Sequence, residues 1–580
     1  MKVLRGKEWF SGRDLEGFLH RAGLKAQGWT EESFIDKPII GIANSWSETT
    51  HCNSNLKELS EHVKRGIIQS GGFPLEFPTI SLGEFFLNPT SMYCRNLMSM
   101  DVEEMIRGLP IDGVVLLSGC DKTTPAMIMG AGSANLPSIL LTSGPQLKGN
   151  WRNENLGSCT DCRRYWSELR AGNITQKEYD SLESAIYRSK GHCMVMGTAS
   201  TMACISEVLG IMLSGGAATP AADSRRLALA EKTGNTAVEM VNKQIKIGEI
   251  LSESAFYNAI KVLLALGGST NAVIHLTAIA GRFGINLNLD IFDKLSREIP
   301  VIVNLKPSGD YLMEDFFYAG GINTVLYELR DYLDLNCKTI NGNILGDNIT
   351  KPDYDTSTIV KSMNKPIFPE GGLAVLKGSL SPDGAIIKHS AASKKLLNHT
   401  GKAVVFENPE DLKNRIDDPN LDVNEKDILV MKNSGPIGGP GMPESGYLPL
   451  PKKLLKKGVR DMIRISDARM SGTAFGTIIL HVAPESALGG PLALVENGDL
   501  IKVDIENRKL DLLVDEKILS ERKKKWDPPL IPDYFDRGYG KIFYDHIQQA
   551  PKGCDFDFLN GNTPVKSHIE TGNENGFRTG

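Results

Sequence analysis

The chain has 580 residues, of which 41% are hydrophobic and 23% charged. Those fractions belong to a folded protein with large cores and exclude a disordered or collagen-like chain. Lys and Arg number 65 against 70 Asp and Glu, a formal net charge of −5, so a general polyanion binder is excluded and no nucleic-acid partner is expected.

No apolar run approaches the roughly 18 residues of a membrane span. The first residues, MKVLRGKEWFSGRD, lack the apolar region of a signal peptide. The expectation is a cytoplasmic protein with no membrane partner. Nine cysteines are too sparse for a disulfide scaffold and read as thiols, some available to metal.

In chain order, Ile39 to Ala43 reads as a strand and is followed by Thr50-His51-Cys52-Asn53. Pro110 to Ser118 reads as a buried strand, Pro125 to Ala134 as the start of a helix, and Leu136 to Thr142 as a second buried strand. This strand–helix–strand alternation implies a parallel α/β sheet. A helical stretch from Ala255 to Ala280 is interrupted at Gly267-Gly268-Ser269-Thr270-Asn271. From Pro366 onward, short β-type runs alternate with turn signals, which predicts a β-rich, barrel-like domain with many antiparallel strands. The expected division is an α/β domain over 1–365 and a β-rich domain over 366–580. The Arg522 to Lys525 run reads as a solvated face.

The P-loop, HExxH, GxSxG and GxGxxG patterns are absent. Chemistry-bearing residues do gather elsewhere. Gly119-Cys120-Asp121-Lys122 follows the strongest strand, where ligands bind in parallel sheets, and sets thiol, carboxylate and amine side by side. Cys52 and Cys193, in Gly191-His192-Cys193-Met194, offer further soft ligands, but spacing alone does not join them to Cys120. Cys159-Thr160-Asp161-Cys162 is a CxxC, suited to redox or metal work. The loop from Gly435 to Glu444 is rich in Gly and Pro, so its free N–H groups are expected to cradle an anion, while Glu444 reaches a cation. Ser471 lies in a small-residue turn, where Gly472 is expected to admit close approach of a substrate.

The motifs THCN, SLGE, GCDKTTPA, GHCMVMGTASTMA, GGSTNA, GGPGMPE and SDARMSGTAFG, in this order, resemble the IlvD/Edd dehydratases. The likeness runs from about residue 9 to about 560. GHCMVMGTASTMA and the stretch beginning SLGEFFLNPTSMYC are similar to the sugar-acid branch. The family's CNxH reads here Cys52-Asn53-Ser54-Asn55, and its GSGTD reads Gly157-Ser158-Cys159-Thr160-Asp161.

The resemblance implies a [2Fe–2S] cluster on Cys52, Cys120 and Cys193. It implies a Mg²⁺ site at Glu84, Asp121, Glu444 and a carbamylated Lys122. Ser471 corresponds to the catalytic base, with Thr473 as a substrate-binding residue. The implied activity is that of a hydro-lyase, converting a 2,3-dihydroxy sugar acid to the 2-keto-3-deoxy acid. L-arabinonate is the favoured substrate, and D-xylonate or another aldonate is the alternative. A dihydroxy acid of branched-chain biosynthesis comes next, and a non-catalytic iron–sulfur or thiol redox protein is the alternative of another class. Family membership also implies a homodimer or homotetramer, with His568 in the tail as a candidate to reach a neighbouring subunit.

Overall fold

The computed structural model describes residues 4–530 and 532–561; His568 lies outside the described residues. Four strands form the first sheet: β1 (Ile39–Asn44), β2 (Phe73–Pro78), β3 (Gly113–Ser118) and β4 (Ser138–Thr142). Their order is β2-β1-β3-β4 and every pairing is parallel. All residues of β1, β3 and β4 are buried, as expected when helices cover both faces of a parallel sheet. The helix Thr123–Ala134 makes the crossover from β3 to β4, and Leu56–Gln69 packs with Ser224–Lys243. The Ala255–Ala280 stretch resolves into two helices, Glu253–Ala265 and Asn271–Gly281, broken at Gly267 with φ +57°. A hairpin of β5 (Gly149–Trp151) and β6 (Glu154–Leu156) leads into the helix Ser158–Ala171.

The second half holds eight strands: β7 (Ala374–Leu376), β8 (Gly384–Ile387), β9 (Asn398–Phe406), β10 (Ile428–Met431), β11 (Arg464–Ser466), β12 (Ile478–Ala483), β13 (Leu500–Asp504) and β14 (Lys509–Leu512). They run in the order β14-β13-β9-β10-β11-β12-β8-β7. The two ends meet through a bridge between Lys377 and Lys509, which bends the sheet into a barrel-like form. Alternation decides the inside: Ala403, Val405, Ile428 and Val430 point into the barrel core, while Val404, Phe406, Leu429 and Met431 pack under outer helices.

One expectation is corrected. The middle of this sheet, β9 to β12, is parallel, and antiparallel pairing is confined to the flanks. The reason is visible along the chain. The short helices Pro409–Arg415 and Lys452–Lys456 sit in connections long enough for crossovers, and the turn signals around them mask their helical pattern.

After the barrel the chain returns to the first half. Arg95 donates to the carbonyls of Gly553 (2.9 Å) and Cys554 (2.7 Å). Arg282 and Asp555, both with fully buried side chains, form a two-pronged ion pair at 2.7 and 3.0 Å. Arg522 pairs with Asp499, and Lys523 lies over Trp526 at 4.6 Å, so the basic run is a solvated face. Among the described residues no helix is long and apolar enough to cross a membrane.

Candidate active site

The carboxyl ends of β1 and β3 build the centre. Cys52 sits in a single turn, His51–Asn53, beyond β1, and Cys120 follows β3 directly. Asn53 locks the two together: its side-chain oxygen accepts from the Cys120 N–H (2.9 Å), and its amide nitrogen donates to Ser45 and Ser81. Gly119 makes the approach possible, because a Cβ there would collide with the Cys52 carbonyl and stand 2.5 Å from Ser143 Oγ. Cys193 arrives from a third segment. His192 extends the sheet beside β4, exchanging backbone hydrogen bonds of 2.9 Å with Gly144 and Gln146.

The three thiols therefore converge from loops that are distant along the chain. A hydrogen bond to Cys120, together with burial and the nearby Cys120, Cys193 and Asp121 charges, pushes the Cys52 thiol well up. Burial, then the charges of Cys159, Cys120 and Asp121, pushes Cys193 up. Such thiols ionise only when a cation shares the site, which fits a soft-metal thiolate set. Stacked His51 and Phe85 (4.7 Å), with Tyr187 edge-on to both, cover the Cys52 side.

Beside the thiols lies a carboxylate group. One oxygen each from Glu84, Asp121 and Glu444 fall within 4.8 Å of one another. The fully buried Lys122 amine sits among them, 3.6 Å from Glu84 and 3.7 Å from Glu444, and ion-paired to Asp121. This is the donor chemistry of a hard-cation site, currently balanced by an ammonium.

Arg469, 1% exposed at its side chain, spans the group, donating to Glu444 (2.6 Å), Glu84 (2.9 Å) and Thr90 (2.6 Å). Burial opposes ionisation of Glu84, yet Arg469, Lys122 and the Ser91 and Thr90 hydroxyls hold it well below the usual range. Glu444 lacks those hydroxyls, and burial and Glu84 push it up. Sequence reading passed over Arg469: it stood inside SDARMSG, but nothing in the spacing tied it to Glu84, 385 residues away.

Two expectations change. The N–H groups of the Gly435–Glu444 loop cradle not a ligand anion but the chain's own Glu485 carboxyl, which accepts from Ile437 (3.0 Å) and Gly438 (2.9 Å). Gly472 does permit a close approach, but to protein: a Cβ there would stand 2.6 Å from both Ser269 Oγ and the Thr198 N–H. The Gly267–Asn271 break thus seats the Ser471 loop, and Asn271 also donates to the Met470 carbonyl (3.1 Å). Ser471 lies two residues past Arg469, half-buried, its Oγ 2.9 Å from Thr473 Oγ1.

All nine cysteines are free. Cys159 and Cys162 occupy the first turn of the helix Ser158–Ala171, with Cys159 Sγ 3.1 Å from the Tyr187 hydroxyl. Cys159 neighbours Cys193 electrostatically, but it and Cys162 belong to a separate element.

Residues 37–348 match the family model described as dihydroxy-acid/6-phosphogluconate dehydratase N-terminal, and 358–554 match its C-terminal counterpart. An L-arabinonate dehydratase of Rhizobium leguminosarum bv. trifolii (strain WSM2304) is 49% identical over 562 residues, 97% of each chain. An L-arabonate dehydratase of Azospirillum brasilense is 49% identical over 575 residues, 97% of this chain and 98% of its own. A 6-deoxy-6-sulfo-D-gluconate dehydratase of Pseudomonas putida is 44% identical over 572 residues, with the same coverage. Matched in both halves, and similar to dehydratases over nearly its whole length, the chain belongs to the dihydroxy-acid/6-phosphogluconate dehydratase family.

Proposed function

We propose that this protein is an aldonate dehydratase, with L-arabinonate as its favoured substrate. One observation carries the reading: the consecutive residues Cys120, Asp121 and Lys122 join a three-thiol group to a three-carboxylate group at one sheet end. Cys52, Cys120 and Cys193 would hold a [2Fe–2S] cluster, and Glu84, Asp121, Glu444 and a carbamylated Lys122 would hold Mg²⁺. Charge supports the second set. Carbamylation turns the Lys122 cation into an anion, and a divalent ion restores the two charges lost among the same carboxylates. When bound, these groups would supply Lewis-acid chemistry, iron toward the leaving 3-hydroxyl and a hard cation toward the substrate carboxylate.

The chain's own groups then handle the proton. Deprotonated Ser471 Oγ takes the C2 proton, and the C3–O bond breaks with its electron pair leaving on oxygen. The proton passes from Ser471 to that oxygen, so that water departs and Ser471 is again deprotonated, and the enol tautomerises to the 2-keto-3-deoxy acid. Hydrogen-bond donors at Oγ favour the charged form that this role needs. Arg469 holds Glu84 and Glu444 at fixed separation, so the site needs little reorganisation as charge develops.

We further propose a homo-oligomer, since the helix Leu15–Lys25 leaves Leu15, Phe18 and Leu19 exposed on the surface. Light scattering on the purified protein tests this; a monomer at micromolar concentration rejects it.

The test of function is turnover by anaerobically purified, Mg²⁺-supplemented enzyme. L-arabinonate, D-xylonate, 6-deoxy-6-sulfo-D-gluconate and 2,3-dihydroxyisovalerate are compared, with the 2-keto acid trapped. L-arabinonate should be turned over fastest. Turnover of the branched acid alone rejects the sugar-acid reading.

A further inference from the structure

Proton placement around Ser471 follows from what each neighbour can donate. A guanidinium only donates hydrogen bonds, whereas a hydroxyl has one proton to give. Arg163 Nη1 lies 2.6 Å from Thr473 Oγ1, so that oxygen must accept there. The Thr473 hydroxyl proton is not engaged by Arg163 and is free to point to Ser471 Oγ, 2.9 Å away. The Thr473 N–H faces the same oxygen at 3.5 Å. Once deprotonated, Ser471 Oγ can only accept, and the donors that face it are the Thr473 hydroxyl and N–H.

The arrangement is held rigidly. Thr473 is 2% exposed, and its carbonyl accepts from Thr160 Oγ1 at 2.7 Å. Arg163 is anchored by its own helix, donating to the Cys159 carbonyl at 3.2 Å, and lies over the Tyr447 ring at 5.2 Å. Its neighbour Arg164 is ion-paired with Glu154 and Asp161. Arg163 has no carboxylate within ion-pair distance among the described residues, so no carboxylate competes with Thr473 Oγ1 for its Nη1.

We propose that Arg163 is a positioning residue of the dehydration reaction: it fixes the Thr473 hydroxyl as a donor to Ser471 Oγ and so prepares Ser471 as the base. The inference rests on the reading of Ser471 given above. It also gives Thr473 a task other than touching the substrate.

The test uses holoenzyme and whichever aldonate it turns over fastest. Arg163→Met should lower kcat about 10- to 100-fold, with KM within about twofold of wild type. Thr473→Val should do the same. The double variant should be no slower than the slower single one, because both changes cut one chain. Arg163→Lys and Thr473→Ser, which keep a donor in place, should recover most of the rate. A raised KM with unchanged kcat, or losses that multiply in the double variant, overturns the proposal. If Arg163→Met fails to fold, Arg163→Leu takes its place in the same cycle. Ser471→Ala separates the two failures. Wild-type-like turnover in Ser471→Ala removes the base assignment itself. An inactive Ser471→Ala beside a fully active Arg163→Met removes only the role of Arg163.

Discussion

Glu485→Gln probes the loop that carries Glu444. Glu485 is 1% exposed and accepts from the Ile437 and Gly438 N–H groups and from Gln549 (2.6 Å). Burial, reinforced by the Asp467 charge, pushes its carboxyl from 4.5 up to about 7. The folded state thus prefers the protonated form. The stability this group contributes is fully present below its unfolded value of 4.5 and is lost as pH rises through about 7. At about 1.4 kcal/mol per pH unit, the loss amounts to about 3 kcal/mol.

Glutamine keeps the shape but cannot titrate. Its amide sets one N–H against another donor, a cost of about 1–3 kcal/mol that does not vary with pH. The Tm of the variant minus that of wild type should therefore climb between about pH 4.5 and pH 8. The climb is about 2–3 °C if the chain unfolds as one unit and about 7 °C if the barrel half unfolds alone. Scanning calorimetry of both proteins across that range measures it. A difference that stays flat with pH refutes the argument, because no constant packing defect can imitate a titration.

Other outcomes are equally specific. Ser471→Ala should keep its iron content and Tm while losing about 10²- to 10⁴-fold in kcat, measured by keto-acid release. Replacing Cys159 and Cys162 together by Ser should preserve the visible chromophore and turnover, whereas Cys120→Ser should abolish both; the reverse pattern would favour a redox protein built on the CxxC. In the wild type, the hydrogen bond from Cys162 outweighs burial and, with Arg163 nearby, brings Cys159 down to about 6. Its alkylation by iodoacetamide, followed by mass spectrometry, should level off above neutral pH. Asp555→Ala removes the two-pronged partner of the buried Arg282, leaving only Glu103 at 3.8 Å, and should cost about 3–5 kcal/mol in thermal or denaturant unfolding.

Local patterns were enough for three of the four strands of the parallel sheet; the edge strand Phe73–Pro78, with a proline at each end of its core, gave no such pattern. β1, β3 and β4 are apolar runs bounded by turns, and Gly267 marked a helix break wherever the helices ended up. Long co-linear motifs likewise identified the family and pointed to Cys52, Cys120 and Cys193 together. The parallel centre of the barrel was hidden, because a run such as KDILVMKN carries its alternation but not the direction of its neighbours.

What only the tertiary structure decided are the partnerships. Glu84 and Arg469 meet across 385 residues, Glu485 rather than a ligand fills the glycine-rich loop, and Arg163 reaches Thr473 from another element. The physical reason is range. Strand and helix patterns are written in neighbours two to four residues apart, whereas a charge or a hydrogen-bond donor is indifferent to chain distance and finds its partner only after the loops have been brought together.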